Sequence, residues 1–446
     1  MCSGPASDPG QRPQRKNDSG VWLKQVTLFR KRTLNSIPGI TLEELAGVLL
    51  VSTMDTKGKE ALYLESCLKE AGVRALILDA GIMGVSSSPV AISREDVAHA
   101  AGSTLAEIQA LGHEGKALEM MISGAVQCAL KLYREGKVRG IIGLGGSMGT
   151  TLGSGVMRAF PFGLPKVMIS TMASRDTRPF VGTKDIFMLH SVCDLSGLNR
   201  ITRKVLRNGA MALAGMVRGY APEPDLNKPL VALSTLGTTE ACAVHVRESL
   251  EAKGREVVIF HTVGSGGEAM EEMLGEGKIS AVVDLSLHEI ADHLFGGDYD
   301  AGPDRGKSAL QNEIPTVLIP GNIDFLVSGA LNKAKQRFPG RRYHSHNAAI
   351  TVVRTEQHEI TQIATTVADI CNQAKGPLCI LIPMGGFSAF DSENGPLYDP
   401  HGPELFSKAV IKELREDIPV YSLPYHINDP EFAAAVVQHL EVLLAS

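Results

Sequence analysis

Short apolar runs, each broken by glycine, serine or threonine and followed by helical periodicity, recur from residue 47 to the end of this 446-residue chain. They fall at 48–53, 75–79, 140–144, 166–170, 230–234, 256–261, 281–285, 316–319, 348–353, 378–382 and 420–423. Apolar runs alternating with helices mean βαβ units, and such units build parallel sheets covered on both faces. The runs outnumber the strands of a usual open sheet, so two sheets are expected. The fold class that follows is α/β, two Rossmann-like domains with parallel sheets.

A break falls after the helical segment 198–218, where Tyr220-Ala221-Pro222-Glu223-Pro224-Asp225 places two prolines that stop a helix and stiffen a linker. This divides the chain into an extension at 1–40, disordered or targeting, a first α/β domain at 41–222, and a second α/β domain at 226–446. The halves open alike: Ser52-Thr53-Met54-Asp55-Thr56-Lys57 and Ser234-Thr235-Leu236-Gly237-Thr238-Thr239 each start a helix, then a strand, then a turn reaching Gly84 or Gly266 at constant offset.

A net charge of −5 with scattered Lys and Arg argues against nucleic acid or a membrane surface as partner. Catalysis or small-molecule binding gains weight. Seven cysteines without a CxxC pair fit a reducing compartment. No apolar stretch reaches the roughly 20 residues that span a bilayer. The first 20 residues are too polar to pack, and the basic, apolar stretch 21–35 leaves an organelle as the alternative to a cytoplasmic location.

The segment Arg139–Thr151, RGIIGLGGSMGTT, carries the clearest chemistry. A strand breaks into glycines and then a helix, where backbone N–H groups and the positive end of the helix dipole favour an anion. Its spacing is neither a P-loop nor a proper GxGxxG. Thr53, Thr56, Lys57 and Ser147 supply donors at the ends of strands that face one crevice in a parallel sheet, and Asp55 stands where it would cap a helix starting at Thr56. Asp79, at the end of the second strand, is placed like an acid that holds a ribose hydroxyl, beside Gly81 and Ile82. Arg94, a cation at a helix N-terminus, is placed either for an anion or for solvent. The loops 171–177 and 181–185 would close over the same crevice.

The second half is denser in polar residues at strand ends. Asp284, His288, Asp324, His346, Ser388 and His426 would border a crevice suited to acid–base work. The spacing of His288 and His293 is not HExxH, and Ser388 lies in no GxSxG elbow. His344 and His346 share a face if that segment is extended.

The segments VSTMDTKGKEALYLESCLKEAG, IIGLGGSMGTTL, KVMISTMAS, SVCDLSGLNRITRKVLRNGAMALAGM, YHSHNAAITVVRT and YHINDPEFA occur in this order over residues 47–444. The chain resembles the ATP-binding domain family typified by the inhibitory domain of the tomato mosaic virus resistance protein. The resemblance implies two Rossmann-like domains, ATP with Mg2+ in the first, and a homodimer or higher homo-oligomer. It also implies that Asp55, Thr56, Lys57, Gly81, Ile82, Arg94, Gly145, Gly146, Ser147, Gly149 and Thr150 surround the nucleotide. The antiviral role of the plant member is specialised and is not carried over.

Three functional readings stand at this point. One is an ATP-binding enzyme acting on a small-molecule substrate, its site between the domains, with His288, His346, His426, Asp284 and Asp324 as acid–base groups. Another is a nucleotide-gated binding module without turnover. The third is a lyase, ligase or hydrolase for a small phosphorylated or oxo-acid substrate. None names a reaction, because a fold does not determine one.

Overall fold

A computed structural model describes residues 47–84, 88–220 and 228–445. The expectations for the extension at 1–40 and for the prolines of the linker lie outside these residues. The chain forms two compact units, one of residues 47–175 with 187–219, the other of 176–186 with 220 onward.

The first unit holds β1 (Gly47–Ser52), β2 (Ala75–Asp79), β3 (Val138–Gly145), β4 (Lys166–Ser170) and β5 (Phe187–His190), all parallel, in the order β2-β1-β3-β4-β5. Every residue of β1 is buried, as a central strand covered on both faces requires. Val48 and Leu50 pack with Leu64 and Leu68 of the helix Met54–Glu70 and with Leu206 and Leu213 of the helix Arg200–Gly219. The order in which strands are added reverses between β1 and β3, so their C-terminal ends open a crevice.

In the second unit β6 (Leu230–Thr235), β7 (Glu256–His261), β8 (Ala281–Asp284) and β9 (Thr316–Leu318) are followed by a separate antiparallel sheet. That sheet comprises β10 (Phe325–Ser328), β11 (Tyr343–Ser345) and β12 (Thr351–Arg354). Then β13 (Leu378–Pro383) and β14 (Val420–Leu423) return to the parallel sheet, ordered β14-β13-β9-β8-β6-β7. Val231 and Leu233 of β6 face the helices Glu240–Ala252 and Pro430–Ala445, while Ala232 faces the opposite core with Phe260 and Met270.

Two expectations are corrected. The run 348–353 does not join a parallel sheet: its strand begins at Thr351 and pairs antiparallel with β11. Asn347 Oδ1 accepts the N–H groups of Ala349 and Ile350, 2.8 and 2.9 Å away, which reverses the chain and makes a hairpin. The loop 181–185 clusters with the second unit, where Lys184, 8 % exposed, pairs with Glu272 at 2.6 Å. The shared opening of the two halves is present as strand, helix and parallel strand in each unit. Their registers differ by one residue, Val48 opposite Ala75 but Leu230 opposite Glu256.

Candidate functional site

A cavity of about 530 Å³ opens at the C-terminal ends of β1 and β3. It is large enough for a mononucleotide. One wall is polar: Thr53, Asp55, Thr56 and Lys57 after β1, and Gly145, Gly146, Ser147 and Gly149 after β3. The other is largely apolar: Ile82 and Met83 after β2, with Ile108 and Leu118 from the helices Leu105–Ala110 and Glu114–Arg134.

The polar wall is built by its sequence. Gly146 N-caps the helix Ser147–Arg158 without a side chain, and the first bond into the helix is Thr150 N–H to Gly146 O at 2.8 Å. The N–H groups of Ser147, Met148 and Gly149 are left without intrahelical partners. Thr150 is fully buried; its hydroxyl bonds Gly146 O at 2.7 Å and Ser170 Oγ at 2.6 Å, so it braces the turn from beneath. Thr53 and Thr56 share a hydroxyl bond of 2.8 Å. Lys57 interrupts its helix (φ −122°, ψ 17°), and its Nζ donates to Leu195 O at 2.5 Å.

Both acids at the strand ends accept backbone N–H groups. Asp79 is 2 % exposed and its Oδ1 accepts Met54 N–H and Gly81 N–H at 3.0 and 2.9 Å. It locks the start of one helix to the next loop and is closed to a ribose. The helix begins at Met54, ahead of Asp55, whose Oδ2 accepts Met83 N–H at 2.9 Å while Oδ1 is buried without a partner. Arg94 donates to Met83 O and Gly84 O, both at 3.0 Å, and does not line the cavity. Carbonyls answer the cation that the sequence assigned to an anion or to solvent. Gln109, His113 and Glu114 also line the cavity and were not anticipated. The available signal was the glycine-flanked Gly112-His113-Glu114-Gly115 break between two helices, where His113 caps the second by accepting Lys116 N–H at 3.3 Å.

Residues 46–222 match the N-terminal domain, and 228–444 the C-terminal domain, of the Uncharacterised protein family (UPF0261). The chain belongs to the UPF0261 family. A UPF0261 protein of Clostridium tetani (strain Massachusetts / E88) is 36% identical over 394 residues, 88% of this chain and 98% of its own length. A second, UPF0261 protein RA0729 of Rhizobium meliloti (strain 1021), is 36% identical over 392 residues, 87% of this chain and 97% of its own. The ToMV resistance protein Tm-1(GCR237) of Solanum lycopersicum is 36% identical over 343 residues, 75% of this chain but 45% of the tomato protein.

In this UPF0261 chain the second unit consumes most of its strand-end polar groups internally. Asp284 receives both terminal nitrogens of Arg305 at 2.7 Å, and Arg305 Nε reaches Glu289 at 2.7 Å; Arg305 is 1 % exposed. Asn322, in left-handed backbone (φ 60°), bonds Thr238, Thr239 and Ser286 at the ends of β6 and β8. Asn322 thus ties the ends of β6 and β8 together in the second unit. His288 is wholly buried, with Nδ1 2.9 Å from Asn322 O and Nε2 3.3 Å from Asp292. Burial opposes its charged form, but the Asp292 carboxylate overrides this and raises its pKa above the ordinary histidine value.

Asp324 is also wholly buried, accepts Ser388 Oγ at 2.7 Å and lies 3.7 Å from Arg354. Burial raises its pKa, and Asp391 beside the same arginine is pushed up to about 7, by burial first and then by the Asp324 carboxylate. His426 is half-buried, with Nε2 2.9 Å from Ser388 O and Nδ1 accepting Asn428 N–H at 3.1 Å. His346 is exposed and shares the ring of Phe390 with His344. Asp324, Ser388 and His426 come together; Asp284 belongs to the Arg305 cluster, and His346 lies on the small antiparallel hairpin.

Proposed function

We propose that the first unit binds ATP, with its phosphates at the Gly145–Gly149 turn and its base against Ile82, Met83, Ile108 and Leu118. The observation that carries this is the cavity itself: an apolar wall opposite two strand-end turns, one of which presents unpaired helix N–H groups. That division of polarity matches a flat ring joined to a polyanion. Among the described residues Lys57 is the only lysine or arginine lining the cavity, so a triphosphate needs further positive charge. Mg2+ fits that need. No group of three or more His, Cys, Asp or Glu able to hold a metal occurs among the described residues; the ion would arrive with the phosphates, and Asp55, which lines the cavity beside Lys57, is the residue that would hold it. When bound, the ion would neutralise phosphate charge.

The test is thermal unfolding of the full chain with and without ATP and Mg2+. Ligand at about 100 times Kd adds about 2.7 kcal/mol to the unit that binds it. We expect a higher Tm for the native chain and a much reduced increase for Lys57→Ala. No increase with any nucleotide would end this reading. Turnover would then fall to His346, the exposed imidazole among the second-unit candidates, and an unchanged turnover rate in His346→Ala would remove that assignment.

A further inference from the structure

The loop 81–84, which supplies Ile82 and Met83 to the apolar wall, reads Gly-Ile-Met-Gly. None of its own side chains has a polar group to anchor it. It is tied instead from four outside points. Asp79 and Asp55 accept Gly81 N–H and Met83 N–H, both at 2.9 Å. Arg94, on the helix Arg94–Ala100, spans Met83 O and Gly84 O with its two terminal nitrogens, each at 3.0 Å. Gln109, on the helix Leu105–Ala110, donates Nε2 to Ile82 O at 2.6 Å. The Arg94 side chain is 11 % exposed, and its Nε lies 3.4 Å from Glu95. Its fork is therefore occupied by the loop. Because a guanidinium is planar and rigid, two carbonyls held by one fork fix the curvature of the chain between them.

We infer that Arg94 and Gln109 are positioning residues which hold the 81–84 loop as the surface that receives the base, and that they govern affinity for the base end of the ligand and not for its phosphates. This rests on the nucleotide reading above. The phosphate turn is made by β3 and the helix after it, whereas the bonds of Arg94 and Gln109 described above end on the 81–84 loop and Glu95, so loosening the loop leaves that turn intact.

The experiment is calorimetric titration of the full chain with two probes, ATP and inorganic tripolyphosphate, each with Mg2+. The native chain should bind ATP more tightly than tripolyphosphate. Arg94→Gln should weaken ATP by about tenfold, the loss expected for a charge-assisted pair of hydrogen bonds, and change tripolyphosphate by less than about twofold. Arg94→Lys should restore part of the ATP affinity, and Gln109→Ala should show the same selective loss on a smaller scale. Equal weakening of both probes in Arg94→Gln would place the guanidinium on the phosphates and overturn the inference; so would no weakening of either. If the native chain binds both probes equally, the base is not read on this wall and the inference fails while phosphate binding stands. If it binds neither, the nucleotide reading itself fails. Should Arg94→Gln not fold, Gln109→Ala on its exposed helix decides the question alone.

Discussion

Adjacent glycines in the Gly145–Gly149 turn should respond to substitution in opposite ways. A Cβ on Gly145 would lie 2.6 Å from Gly149 Cα and 3.0 Å from Gly149 C. Both are backbone atoms at the start of a helix, so no side-chain rotation relieves the clash. A Cβ on Gly146 meets nothing nearer than Thr171 Oγ1 at 3.9 Å, and its backbone (φ −77°, ψ −155°) suits any L-residue. Overpacking of this kind costs about 1–3 kcal/mol, so Gly145→Ala should lower stability by about 2 kcal/mol. That corresponds to a Tm decrease of roughly 4–8 °C for a unit of this size. Gly146→Val should cost less stability than Gly145→Ala, because its Cβ makes no backbone clash. Its branched side chain would instead occupy space that a phosphate needs. Thermal unfolding with and without ATP and Mg2+ separates the two. Without ligand, Gly146→Val should unfold above Gly145→Ala, and it should lose the ligand-induced increase of about 2.7 kcal/mol expected at 100 times Kd. A Gly146→Val chain that keeps the full increase, or a Gly145→Ala chain as stable as the native one, would refute this account of the turn.

Two further outcomes follow from the second unit. Arg305→Met leaves Asp284 and Glu289 buried without their cation, and breaking one side of such a cluster costs about 3–5 kcal/mol; urea denaturation should show that loss, and a loss below 1 kcal/mol would mean that the cluster is solvated. Asp391, with its pKa pushed up to about 7, keeps a proton in the folded chain where an unfolded aspartate, near 3.9, has lost it. The folded state therefore binds the extra proton, and this contribution is complete below about pH 4 and lost as the pH rises through 7. The native chain should lose stability relative to Asp391→Asn across that interval, and a difference independent of pH would contradict it.

Much of the fold was legible because its central strands are buried on both faces and therefore read as continuous apolar runs. The runs 166–170, 230–234, 281–285 and 378–382 fall on the central strands β4, β6, β8 and β13 to within a residue. The strands β5, β10 and β11 escaped for identifiable reasons. Phe187–His190 is an edge strand with exposed ends, and β10 and β11 are only three or four residues long and pair antiparallel outside the main sheet. In the candidate site, the Gly145 turn and the Thr53–Lys57 turn could be placed from residue type and strand position alone. The roles of Asp55, Asp79 and Arg94 could not. Each is set by a backbone atom 10 to 28 positions away in the chain, and residue type does not reveal whether a carboxylate or guanidinium is already engaged. The same limit applies to Asp284 and His288, whose chemistry is consumed by Arg305, Asn322 and Asp292.

The bonds that Asn322 makes at the ends of β6 and β8 have a consequence for how the two halves differ. One side chain there supplies bonds that a solute would otherwise make, and it does so permanently, because it is tethered by the same polypeptide. A tethered ligand cannot be diluted, competed away or consumed. Those bonds stabilise the second half without any solute, whereas the N–H groups of Ser147, Met148 and Gly149 in the first half are left without intrahelical partners. One opening pattern is thus completed by a side chain in one unit and left open at a helix start in the other.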